Sequence, residues 1–103
     1  MTESEMRLAG DNYLVLSDGD KSCVAGVIEH EDSKQMTTIG SPHDVFYQAL
    51  EALDWAEKLP VPDQLKEFDF CACWTLTPLG RHMLPEFLPA VIERHRHEAS
   101  RRS

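Results

Sequence analysis

The stretch Ser41–Leu59, SPHDVFYQALEALDWAEKL, constrains this chain more than any other. It opens with a helix start. Ser41 can accept a hydrogen bond from a free N–H of the first turn, Pro42 wastes no donor at the first helical position, and Asp44 favours the positive end of the helix dipole. Pro60 and Pro62 cannot continue a helix, so the spacing predicts one helix up to Leu59. Val45, Phe46, Ala49, Leu50, Ala52, Leu53, Ala56 and Leu59 cover about half of its circumference. An apolar arc that wide suits a sheet rather than a narrow helix seam. His43, Asp44, Tyr47, Glu51, Asp54 and Lys58 are expected to face outward, with Trp55 at the edge of the stripe.

The flanking segments read mainly as strands. Residues 1–12 are polar and are expected to form a flexible arm. Asn12–Leu16 contains YLVL, rich in strand formers, and Ser17-Asp18-Gly19-Asp20-Lys21 carries the Asp-Gly signal of a hairpin turn. Cys23–His30 is then the returning strand, and Gln35–Ile39 a short third one. After the central helix, Phe68–Thr77 alternates Phe68, Phe70, Ala72, Trp74 and Leu76 with Asp69, Cys71, Cys73, Thr75 and Thr77. Thr77-Pro78 starts a last helical region. Pro85 and Pro89 interrupt it, which predicts a short helix at 78–84 and another over 86–99, with Leu84, Phe87, Leu88, Val91 and Ile92 inward. The expected fold is a single α+β domain over residues 1–103, ordered β-β-β-α-β-α. It has a four-stranded, mostly antiparallel sheet with helices packed on it, and a frayed basic tail at 100–103.

Two local resemblances attach to these residues. Thr38, Gly40, Ala49, Leu50, Ala52 and Leu53, within residues 13–58, are similar to the step into the Ala/Leu-rich helix of HicB-type antitoxins, which implies a partial RNase H-like fold. The string WTLTPLGRHMLPEFLPAVIERH, residues 74–95, resembles the wing strand and last helix of HxlR/MarR-type winged-helix regulators. The carriers there are Leu76, Thr77, Pro78, Leu79, Gly80 and Arg81.

Charge narrows the classes of partner. The net charge is −8. Residues 93–103 hold Arg94, Arg96, Arg101 and Arg102 against Glu93 and Glu98, a net +2, so the first 92 residues carry −10. An acidic body repels phosphates and suits a basic protein surface. No run approaches the roughly 20 apolar residues of a membrane span. With three cysteines and a polar, acidic N-terminus, the expected compartment is a reducing cytoplasm.

Candidate chemistry is sparse. Cys71 and Cys73 share a strand face, and His82, His95 or His97 would have to complete a zinc set, but Cys-x-Cys is not a zinc-knuckle spacing. Asp18, Asp20, Ser22 and Glu29 fall on positions 1, 3, 5 and 12 of a calcium loop, yet Cys23 stands where that loop needs glycine. A nucleophilic Cys71 or Cys73 beside His82 or His43 has no local signature. Phosphate loops and Gly-x-Ser-x-Gly elbows are absent. No metal or cofactor is therefore expected. The chain reads as a small acidic non-enzymatic protein, monomer or homodimer, that binds another protein in the manner of an inhibitor, antitoxin or adaptor. Tyr47, Glu51, Asp54 and Trp55 are the expected contact surface. The alternative is a nucleic-acid-binding regulator that uses Arg94, Arg96, Arg101 and Arg102.

Overall fold

The computed structural model describes residues 3–65, 67 and 71–102. Four α-helices and three strands follow in the order α1 (Glu3–Leu14), α2 (Asp18–Glu29), β1 (Gln35–Thr38), α3 (Pro42–Ala52), β2 (Ala56–Leu59), β3 (Cys71–Leu76) and α4 (Pro78–Arg102), with a 3-10 turn at Asp63–Leu65. The chain is α+β as expected, and the sheet is antiparallel. Among the described residues it has three strands, in the order β1-β3-β2. Gln35 sits opposite Trp74, and Ala56 opposite Leu76. Phe68, Asp69 and Phe70, expected at the start of the last strand, lie outside the described residues.

The first two expected strands are helices. In α1, Met6, Ala9, Gly10 and Tyr13 recur at helical spacing and turn inward, so the expected arm is an ordered amphipathic helix. Its close approach to α4 needs Gly10, where a Cβ would lie 3.1 Å from Val91 Cγ2. The expected Asp-Gly hairpin is instead a helix start. The Ser17 hydroxyl accepts from the Asp20 N–H at 3.1 Å, and Asp18 and Asp20 lie at the positive end of α2. Val24 and Val27 of α2 enter the core.

Helix α3 starts as its sequence predicts. Ser41 caps it, accepting from the Asp44 N–H at 3.2 Å, and Pro42 opens it. It stops earlier than expected, at Ala52. Asp54 adopts φ 64°, the Asp54 N–H donates to the Glu51 carbonyl, and the Trp55 N–H donates to the Leu50 carbonyl. This is a Schellman closure with an aspartate where glycine is usual. The chain reverses there, and residues 56–59 become β2.

Helix α4 runs unbroken through Pro85 and Pro89, against the expected division. The two prolines are four residues apart and both exposed, so the intrahelical bonds they remove lie on the solvent side. Leu84, Leu88 and Val91 form its buried stripe, with Phe87 and Ile92 half-buried beside it. The core lies where α3, the sheet and α4 meet. Phe46, Tyr47, Leu50, Leu53, Trp55, Trp74 and Leu84 are its largest fully enclosed apolar members. Helix α1 packs mainly on α3, with a second contact along α4. No described helix is long and apolar enough to cross a membrane.

Candidate functional site

The expected contact surface divides in two. Glu51 and Asp54 are exposed, but Tyr47 and Trp55 are each 0% exposed. Tyr47 turns inward because the buried arc of α3 is rotated from its apolar stripe: it takes in His43, Asp44 and Tyr47 and leaves out Val45 and Ala52. Its ring stacks on Trp74 at 5.9 Å and lies edge-on to Phe46 at 5.6 Å. Trp55 is no longer a helical residue. The reversal at Asp54 carries it under α4, where it meets Phe87 edge-to-face at 5.0 Å. Neither aromatic ring is available to anchor a partner.

His43 and Asp44, also expected outward, are buried. Asp44 Oδ1 accepts from the Thr37 hydroxyl at 2.9 Å and from Trp74 Nε1 at 3.1 Å. Its Oδ2 accepts from the Gly40 N–H at 3.0 Å and from Gln48 Nε2 at 2.7 Å. Burial opposes ionisation of this carboxyl, but its four hydrogen bonds outweigh burial and hold its pKa below the usual carboxylate value. The group ties β1, β3 and α3 together, and its acceptor capacity is spent on the fold. His43 Nδ1 lies 3.5 Å from Asp20 Oδ1 of α2. Burial lowers its pKa, against the opposing pull of the Asp20 and Asp44 carboxylates. His43 Nε2, the Tyr47 hydroxyl and Trp55 Nε1 have no hydrogen-bond partner among the described residues. Burial, with the Cys23 thiol beside it, pushes the Tyr47 phenol well above its ordinary pKa.

The string Leu76–Arg81 folds into the joint that holds α4. Leu76 is buried. The Thr77 hydroxyl donates to the Asp54 carbonyl at 2.7 Å and accepts from the Gly80 N–H at 3.0 Å, capping α4. The Thr77 N–H donates to the Trp55 carbonyl at 3.0 Å. Arg81 Nη1 donates to the carbonyls of Val27 at 2.6 Å and His30 at 3.1 Å, closing the C-terminus of α2. Beside it, Glu31, Asp32, Thr75, Leu76 and Pro78 wall a cleft of about 260 Å³.

Sequence reasoning missed the surface feature between α1 and α3. Leu8 and Asn12 on one helix, and Val45, Gln48, Ala49 and Ala52 on the other, line a groove of about 350 Å³. Leu8 is 56% exposed and Val45 37%. Both polar residues in it have their amide nitrogens engaged. Asn12 Nδ2 donates to the Leu8 carbonyl at 2.9 Å, and Gln48 Nε2 donates to Asp44. Val45, Ala49 and Ala52 were expected in the core. They stand at i, i+4 and i+7, and Ala49 alone of the three is buried.

The basic residues of α4 do not form one continuous stripe. Arg94 and Arg101 are seven apart on one side of the helix, whereas Arg96 points elsewhere and lies 3.8 Å from Glu93. Arg102 ends the helix. Arg94 Nη2 lies 3.5 Å from where a Gly10 Cβ would stand, so that side chain lies along α1. Cys23 is exposed, Cys71 half-buried and Cys73 buried, all as free thiols. Among the described residues no group of three or more His, Cys, Asp or Glu side chains is arranged to hold a metal ion. Asp18 and Asp20 sit on helix α2 rather than on a loop. No protein-family model, curated protein or solved structure matches this chain.

Proposed function

We propose that this chain is a non-catalytic binding module of the reducing cytoplasm that engages a basic surface of another protein. One observation carries the reading: an open apolar groove, Leu8 with Val45, Ala49 and Ala52, on a body whose first 92 residues carry −10. Exposed apolar surface framed by charge is the usual form of a protein contact site. The acidic field would speed encounter with a cationic partner, and the groove would set its residence time. The engagement of Asp44 in structural hydrogen bonds favours binding over catalysis, because its acceptor capacity is spent on the fold. The test is affinity copurification of the tagged protein from its source cells, eluted with rising salt. A retained basic protein released by salt is the expected result. Retention of nuclease-sensitive material, or of no protein, would overturn the reading.

A second reading has its own observation. From Glu93 to Arg101 every residue of α4 is exposed, and Arg94 and Arg101 share a side. A solvated cationic helix end suits a polyanion, and this reading keeps the regulator class that residues 74–95 resemble. A gel shift with salt titration on the wild type and a 94–103 deletion separates the two. Loss of a salt-sensitive shift on deletion would favour nucleic acid.

A further inference from the structure

We infer that the groove between α1 and α3 receives a cationic amphipathic helix from the partner, seated by a bulky apolar side chain. The inference rests on the binding-module reading and adds the class of occupant.

The shape suits a helix. Leu8 and Asn12 are one turn apart on α1, and Val45, Gln48, Ala49 and Ala52 follow i, i+3, i+4, i+7 spacing on α3. Two helical ridges enclose a trough, and the alanines leave it room for a side chain from a third helix.

The polar chemistry suits donors. Asn12 and Gln48 are oriented by hydrogen bonds from their amide nitrogens to their own helices, which leaves their amide oxygens as the acceptors that a ligand would meet. Glu51 lies one turn beyond Gln48, and Asp54 follows in the closing turn, both exposed. Besides the buried Asp44, α1, α3 and that turn contain Glu3, Glu5, Asp11, Glu51 and Asp54 against the single cation Arg7. Lysine and arginine supply only donors, so they complement the amide oxygens and the acidic excess of these two helices, whereas carboxylates would be repelled.

The same facts disfavour a second copy of this chain. A two-fold interface would bring two copies of the same acidic helices together, like charge against like. The cationic end of another copy's α4 has the right charge, but from Glu93 to Arg102 its only apolar residue is Ala99, too small to fill the groove.

The probe is a fluorescein-labelled helical peptide of leucine and lysine, with leucines at i, i+3, i+4 and i+7. A leucine/glutamate peptide of the same pattern and a serine/lysine peptide of the same charge are the controls. Anisotropy should show salt-sensitive binding of the leucine/lysine peptide alone. Amide shifts should move at Leu8, Val45, Ala49 and Ala52. Val45→Arg and Ala52→Arg replace exposed side chains, so the fold should survive, and each should weaken binding at least tenfold. Equal binding of either control, shifts elsewhere, or undiminished binding by both folded variants would overturn the inference. So would a wild-type dimer in sedimentation that Val45→Arg dissolves, which would make a second copy the occupant. A cellular partner retained equally by wild type and Val45→Arg would remove the groove and leave the binding-module reading standing. Failure to retain any protein would remove that reading itself.

Discussion

Gly80→Ala should be among the most damaging single-methyl additions available in this protein. A Cβ at Gly80 would stand 1.9 Å from the Trp55 carbonyl oxygen, 2.8 Å from its carbon and 3.0 Å from the Trp55 Cα. All three are backbone atoms, so no side chain can swing aside. The first turn of α4 must move away from the Trp55 backbone. That movement strains the Thr77 N–H bond to Trp55 and the Thr77 hydroxyl bond to Asp54, and it loosens Trp55 on Phe87. Overpacking costs roughly 1–3 kcal/mol, and two hydrogen bonds contribute roughly 0.5–1.5 kcal/mol each. Against this, alanine gains at most about 1 kcal/mol in helix propensity, so the net loss should be about 3 kcal/mol. Gly26→Ala supplies the internal control, since nothing lies within 4 Å of its Cβ position in α2. That exchange should raise stability by up to about 1 kcal/mol. Urea melts of both variants beside wild type read the difference directly. If Gly80→Ala unfolds at the same urea concentration as Gly26→Ala, the proposed α4–Trp55 clash does not exist.

Other perturbations test other parts of the structure. Leu50→Ala removes a fully buried side chain from α3 and should cost about 2–5 kcal/mol in a denaturant melt. Asp54→Gly relieves a non-glycine residue at φ 64° and should gain up to about 1 kcal/mol, seen as a higher melting temperature. His43 has a lowered pKa when folded, so the unfolded chain binds the extra proton first. Stability should therefore fall as pH drops below the ordinary histidine value of about 6.5, and His43→Phe should remove that step from a pH series of melts. Asp44, also lowered, should add a separate loss below about pH 4, which Asp44→Asn removes along with part of the stability at neutral pH.

Much of the second half of the fold is legible in the residues. Ser41-Pro42 starts α3, Gln35–Thr38 is a strand, and Leu84, Leu88 and Val91 are the inward stripe of the last helix. The first half misleads because local preference and periodicity disagree there. YLVL and the valines after Cys23 favour strands, while the helical spacing of Met6, Ala9 and Tyr13 runs across the boundary of the expected arm. Ser17-Asp18-Gly19 serves equally as a turn and as a helix cap, and only the packing of Val24 and Val27 selects the helix. The end of α3 carries no glycine to announce it. Asp54 takes the left-handed position, and the Trp55 carbonyl then receives the Thr77 N–H.

That hidden stop also explains why Trp55 was expected on the contact surface. With the helix drawn to Leu59, Trp55 belongs on an exposed edge; with the chain reversed at Asp54, it becomes core. The signal for the groove was nonetheless present in α3. Its apolar residues span about half of a helix, and one edge of that arc lies outside the core. Phe46, Leu50 and Leu53 are enclosed, while Val45 and Ala52 remain exposed on a segment whose other outward side chains include Glu51. An amphipathic helix needs no apolar side chain beyond its buried arc for stability. Val45 at the groove therefore tests purpose and packing together. If Val45→Arg leaves the unfolding free energy within about 0.5 kcal/mol of wild type, as surface changes usually do, the valine contributes little to the fold and is free to serve the proposed groove. A loss above about 2 kcal/mol would return Val45 to the core and remove the groove's claim to be a binding surface.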